Sequence, residues 1–202
     1  MKRDLLPRPP RSTQLITVTA IALAVLGSFS IVSAGFVWKQ AFDNTQKGNI
    51  NFSDPSRYRE IRYKLWSNQN LVKHFPPDIP VESSRVYLAY SRASEQGSSF
   101  LQLRLKLPNR QIQNLLQQYR AIAKYSYKGG NTNDHSNLPH GVPTTFFYTS
   151  GTQEDSFPVS YEILVLDAHN QGNSDFEWNH GDSYGVAIDS SASEIIYWVE
   201  QW

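Results

Sequence analysis

The spacing of apolar residues changes several times along the chain, and each change marks an element. Ser12 to Trp38 carries no charge and no alternation, only a continuous apolar run between Arg11 and Lys39. As a helix, Leu15 to Trp38 would be about 36 Å long, enough to cross a hydrocarbon core. A lone segment in lipid satisfies its backbone groups only as a helix, so residues 12–38 are expected to form a single transmembrane helix. Beyond it, Asp54-Pro55 offers an N-cap and a proline at the first helical position. Tyr58, Ile61 and Leu65 share one face, which predicts a helix from Pro55 to about Ser67. Phe75-Pro76-Pro77-Asp78-Ile79-Pro80 is extended, because each proline removes a donor and restrains the residue before it.

A period of two follows. Val86, Leu88 and Tyr90 alternate with Tyr87 and Ala89, and a turn near Gln96-Gly97 leads into Phe100 to Leu107. There Leu101, Leu103, Leu105 and Leu107 alternate with Gln102, Arg104 and Lys106, the pattern of a strand with one buried and one wet face. Pro108-Asn109 ends the alternation, and Ile112, Leu115, Leu116, Tyr119 and Ala123 then form the apolar stripe of a helix over 109–125. That helix is expected to lie across one face of the sheet, with Leu103 and Leu105 beneath Leu115, Leu116 and Tyr119. Arg104 and Lys106 are expected to point to solvent or to another partner. Should their face be covered, the 55–67 helix is the first candidate for the cover.

Residues 126–143 are rich in Gly, Asn, His and Pro and read as a long loop. Phe146–Thr149, Tyr161–Leu166, Tyr184–Asp189 and Glu194–Val199 read as strands, the last two joined by the short polar connection 190–193. The expected fold class is therefore α+β: a single N-terminal transmembrane helix, then an antiparallel sheet of about six strands with two packed helices. The expected divisions are a basic tail 1–11, an anchor 12–38, a linker 39–54 and an exported domain 55–202.

Composition narrows this picture. Roughly 160 residues follow the apolar run, enough for one domain that buries ~70% of its surface. Aromatic residues are plentiful and the charged fraction is low, which describes a packed globule. A net charge of +1 argues against a nucleic-acid surface. The absence of cysteine excludes a disulfide scaffold, thiol catalysis and zinc–thiolate sites.

Charge also orients the anchor. Lys2, Arg3, Arg8 and Arg11 precede the run, whereas Lys39 and Lys47 follow it beside Asp43. Cations tend to stay cytoplasmic, so residues from about 39 onward are expected on the periplasmic or extracellular side. The competing reading is a secretory signal cleaved after Ala34, which exports the same domain. Ala20, Ala24 and Ser28 form a small-residue stripe of the kind that lets membrane helices approach. Arg57, Arg59, Arg62 and Lys64 read as the solvated face of a helix, or as a contact with anionic headgroups.

The stretches Phe75-Pro76-Pro77-Asp78-Ile79-Pro80, Leu101–Pro108, His180–Ile188 and Glu194–Trp202 carry a resemblance. The chain resembles an uncharacterised family of short bacterial, cyanobacterial-type, membrane-anchored proteins with one exported domain. The likeness covers most of residues 71–202. It implies an envelope location and carries no mechanism, cofactor or site residue across.

Candidate chemistry is thin. Asp134, His135 and His140 fall in one loop, and His180 with Asp182 in another, so converging loops would offer imidazole and carboxylate ligands to a metal. Their spacing matches no helical metal motif, and they also serve as turn-forming polar residues, with His140-Gly141 and His180-Gly181 marking chain reversals. No nucleophile elbow, P-loop or dinucleotide fingerprint is present. Glu194 and Glu200 lie near Trp198 and Trp202 and raise the question of a carboxylate pair acting on sugar. Trp178, Trp198 and Trp202 are candidates for a binding surface, set against the plainer reading that they are core. The resulting expectation is a non-catalytic envelope domain, without cofactor, that binds a protein or a glycan. The alternative is a metal-dependent hydrolase using His135, His140, His180 and Asp182.

Overall fold

The computed structural model describes residues 51–202 apart from 65, 67, 92–97, 131–139, 150–151, 155 and 173–177. The expected anchor over 12–38, the linker as far as residue 50, the turn at Gln96-Gly97, and Asp134 and His135 lie outside the described residues. Among those described, no helix is long and apolar enough to cross a membrane.

Nine strands are described: β1 (Asn51–Ser53), β2 (Arg85–Ser91), β3 (Ser99–Lys106), β4 (Tyr125–Lys128), β5 (Phe147–Thr149), β6 (Thr152–Glu154), β7 (Glu162–Asn170), β8 (Gly181–Asp189) and β9 (Glu194–Gln201). Two α-helices accompany them, α1 (Tyr58–Lys64) and α2 (Asn109–Ile122). Seven strands form one sheet in the order β1-β2-β3-β9-β8-β7-β4, and every neighbouring pair is antiparallel. β5 and β6 form a separate ribbon. The fold is therefore an antiparallel α+β domain with two helices.

Local chemistry explains the punctuation. Asp54 accepts a hydrogen bond from the Ser56 backbone N–H, capping the 3-10 turn Pro55–Arg57 that leads into α1. The helix ends at Lys64 and is shorter than its apolar spacing suggested. Pro108 stands at the N-cap of α2, where a missing N–H costs nothing. α2 then carries the chain from β3 to β4, from the third strand of the sheet to its far edge, and so crosses the sheet and packs on β7 and β8. The β8–β9 hairpin is tied by Asp189, whose Oδ1 accepts from the N–H groups of Ser191 and Ala192 and from the Ser191 hydroxyl.

The face beneath the helices holds the main core. Leu103 and Leu105 are fully buried, in one cluster with Leu116 and Tyr119 of α2 and with Tyr58 and Ile61 of α1. Both helices therefore cover the same face.

The opposite face departs from expectation. It is not wet, and α1 is not its cover. Val142, Thr144 and Thr145 run over it, followed by Phe147, Tyr148, Phe157 and Tyr161, all buried. Phe147, Phe157 and Tyr161 pack on Ile163, Ala187 and Ile196, and Tyr148 stacks on Phe100 with ring centroids 4.1 Å apart. Arg104 does not point freely to solvent. Its guanidinium lies over the rings of Tyr87 and Phe147, and its Nε and Nη2 donate to Glu194 Oε2 at 3.0 and 2.8 Å. Tyr161 donates to the same oxygen at 2.7 Å. Lys106, at the strand end, is half-buried.

Leu105→Ala should lower the unfolding free energy by ~2–5 kcal/mol, because the fully buried site can collapse only in part. Arg104→Ala should cost about 3 kcal/mol, since it strands the buried Glu194 carboxylate. Urea unfolding measures both. A silent Arg104→Ala would mean that the second face is open to water.

Candidate functional site

The loop histidines do not converge among the described residues. His140 is exposed with φ 60°, and His180 is exposed beside β8. Asp182 is buried and accepts from His169 Nδ1 at 2.8 Å and from Gln171 Nε2 at 3.4 Å. Among the described residues, no group of three or more His, Asp or Glu side chains is placed to hold a metal ion. The glycines act differently from the expected reversals. At His140-Gly141 the histidine itself is left-handed. Gly181 lies inside β8, where a Cβ would stand 2.4 Å from the His169 carbonyl oxygen.

Glu194 and Glu200 project from the same face of β9 and are six residues apart in sequence. That separation is roughly 20 Å along a strand. Carboxylates that share one glycosidic bond stand about 5–9.5 Å apart, so these two cannot flank one. The basic cluster after the linker divides, with Arg57, Arg59 and Lys64 exposed and Arg62 buried. Arg57 pairs with Glu60 and Arg59 with Asp78, while Arg62 is 7% exposed and donates Nη2 to the carbonyls of Val72 and Phe75.

The tryptophans divide. Trp198 is 0% exposed and packs among Val142 and Val165, so it belongs to the core and not to a binding surface. Trp178 and Trp202 are half-buried, with ring centroids 6.4 Å apart and planes tilted by 46°. Trp178 has φ 60°, a conformation that a bulky side chain adopts at a cost of about 1–2 kcal/mol. Two hydrogen bonds hold it there. Its N–H donates to Asn170 Oδ1 at 3.1 Å, and its carbonyl accepts from Trp202 Nε1 at 2.6 Å. Trp202 in turn exchanges both backbone hydrogen bonds with Gly181, which fixes the chain end against β8. Exposed Asn179 and His180 border the pair.

A shallow depression of about 480 Å³ opens on the helix face, lined by Lys73, His74, Gln118, Tyr119, Ile122, Leu166, Asp167 and Tyr184. It sits where β7 bulges between Val165 and Asp167, and bulges commonly re-aim side chains near sites. Asp167 binds Lys124 Nζ at 2.6 Å and stands 3.6 Å from His169 Nε2. His74 stacks on Tyr184 and donates Nε2–H to the Trp198 carbonyl at 3.1 Å, while Nδ1 is buried without a partner. Burial pushes its pKa down to about 3, against the pull of the Trp198 and Gly185 carbonyls. The ring is therefore neutral at ordinary pH and works as a structural donor.

Sequence reasoning passed over His74 and His169. The first is hidden beside a proline-rich stretch. The second lies beyond the end of the expected strand 161–166, and only the β7–β8 register, shifted by a bulge, places it opposite Asp182. A scan against protein-family models and searches of curated proteins and of solved structures return no match.

His74 gives a pH signature. Its folded pKa lies below the ordinary 6.5, so the folded state binds fewer protons than the unfolded one between these values. Its contribution to stability is present above pH 6.5 and is lost as pH falls toward about 3. The wild-type minus His74→Gln difference in unfolding free energy should shrink over that range. A difference independent of pH would show that His74 is not buried neutral.

Proposed function

We propose that the chain is a single-pass protein of a bacterial envelope, anchored by residues 12–38, whose domain binds a glycan on the Trp178–Trp202 pair. The observation that carries the reading is Trp178. A large ring is held in a strained backbone conformation by two dedicated hydrogen bonds and left half-exposed beside a second indole. Strain of this kind gathers at sites that present a side chain. Flat indole faces suit the apolar face of a sugar ring, and the bordering Asn179 and His180 suit its hydroxyls. The uncharged run and the excess of cations before it support the anchor and its orientation, as does the resemblance to membrane-anchored bacterial proteins. The reading involves no catalytic step.

Two measurements test it. Soluble cell-wall oligosaccharides should change the tryptophan fluorescence saturably, and Trp178→Ala should weaken that binding at least tenfold, ~1.4 kcal/mol. Absence of a saturable change with every glycan fraction would remove the glycan reading. A reporter fused after Trp202 should be active only when exported, and cytoplasmic activity would overturn the orientation.

A further inference from the structure

The second face of the sheet is closed by a strap, residues 142–148, which contains no charged side chain. Among the described residues three polar side chains of the sheet hold it: Tyr127, whose Oη accepts from the Val142 N–H at 3.0 Å, together with Gln102 and Glu200. Gln102, 2% exposed, donates Nε2 to Thr145 Oγ1 at 3.2 Å and to the Phe146 carbonyl at 2.9 Å, and its Oε1 accepts from the Tyr148 N–H at 3.3 Å. Glu200 accepts the Thr145 hydroxyl on Oε1 at 2.5 Å, and the Phe146 N–H also faces its carboxyl. Neutral Gln102 can hold the strap at any pH. Glu200 cannot, because its charge depends on pH.

The surroundings of Glu200 do not compensate an ionised carboxylate. From β8, Ser183 stands directly opposite it, and from β3, Phe100 does. The ring of Tyr148 stacks on that phenylalanine. Arg104 on this face is two positions beyond Gln102 and already engaged by Glu194 at the other end of β9. Three further polar atoms in this layer, Ser183 Oγ, Trp198 Nε1 and Tyr148 Oη, are buried without a hydrogen-bond partner among the described residues. Among the described residues the seam offers this part-buried carboxylate two donors and no counter-charge, so opening the strap returns an ionised Glu200 fully to water.

We propose that Glu200 is a pH-sensitive latch for the 142–148 strap, fastening it to the sheet when protonated and releasing it when ionised. Burial pushes the carboxyl from its ordinary 4.5 up to about 7, although the Thr145 hydroxyl and the Phe146 N–H pull it down. The closed state therefore holds the proton more tightly than the open state. Closure is fully favoured below pH 4.5, weakens through the interval, and reaches a plateau above about 7. Release uncovers the apolar layer around Trp198, Phe100 and Val165. The inference stands apart from the glycan reading, which concerns the Trp178–Trp202 pair.

The test is amide hydrogen exchange of residues 144–148 in the full-length protein in detergent micelles between pH 4.5 and 9, corrected for intrinsic exchange. The opening constant of the wild type should rise on the order of 10²-fold up to about pH 7 and then level. Glu200→Gln keeps the hydrogen-bond acceptor without the charge, and its profile should be flat. A wild-type profile that is flat, or one that Glu200→Gln reproduces, would overturn the latch. Carbon-13 carboxyl shifts provide a reading that needs no variant to fold. A Glu200 midpoint near 7 supports the proposal, and one near 4.5 refutes it.

Discussion

Strand β9 lies between β3 and β8 at the middle of the sheet, and six of its eight residues are buried. Every side chain of a strand must point to one of two faces. With Ile195, Tyr197 and Val199 on one side and Ile196 and Trp198 on the other, neither face can be left to water. The domain therefore needs two covers. The helices and the segment around His74 and Phe75 supply one. The strap, the β5–β6 ribbon and the Phe157–Tyr161 stretch supply the other. This requirement accounts for the placing of the aromatic residues, since only large rings span the gap between a sheet and an irregular cover.

The polar side chains on β9 and its neighbours follow from the same constraint. A helix satisfies its own backbone, but an extended strap does not, and its donors and acceptors must find partners on the sheet it covers. Gln102 and Glu200 serve the strap in this way, and Glu194 fixes Arg104 and Tyr161 on the same face. Read in sequence, Gln102 and Arg104 are the polar half of an alternating strand. In the fold they are the attachment points of a second layer.

That difference explains what the sequence disclosed. The leucines of β3 reveal the strand, because helix-face burial imposes a strict period of two, and Pro108 with the stripe from Ile112 to Tyr119 reveals α2. Both signals are local. The cover on the second face leaves no such trace, because Val142-Pro143-Thr144-Thr145 has the composition of a loop and gains its role only from what lies beneath it. The partner of Arg104 is hidden for the same reason. Glu194 is 90 residues away, and no local pattern connects the two. The Trp178–Trp202 pair was half legible, since alternation places Trp198 and Trp202 on one side, but only the left-handed turn at Trp178 separates a buried indole from a presented one.

Trp198 also joins two part-buried titrating groups, His74 and Glu200. Its carbonyl accepts a hydrogen bond from His74 Nε2–H on the helix side, while its indole lies in the polar layer beside Glu200 on the other. The two groups act on stability with opposite signs. Between pH 4.5 and 6.5, folded Glu200 holds a proton that the unfolded chain releases, and folded His74 lacks one that the unfolded chain binds. In the global unfolding free energy the two effects therefore oppose each other over this interval. They do not oppose each other locally. Opening the strap exposes Glu200 but leaves His74 under the helices, so only the carboxylate contributes to that motion. In a domain built in this way the two groups oppose each other in overall stability, while the strap responds to Glu200 alone.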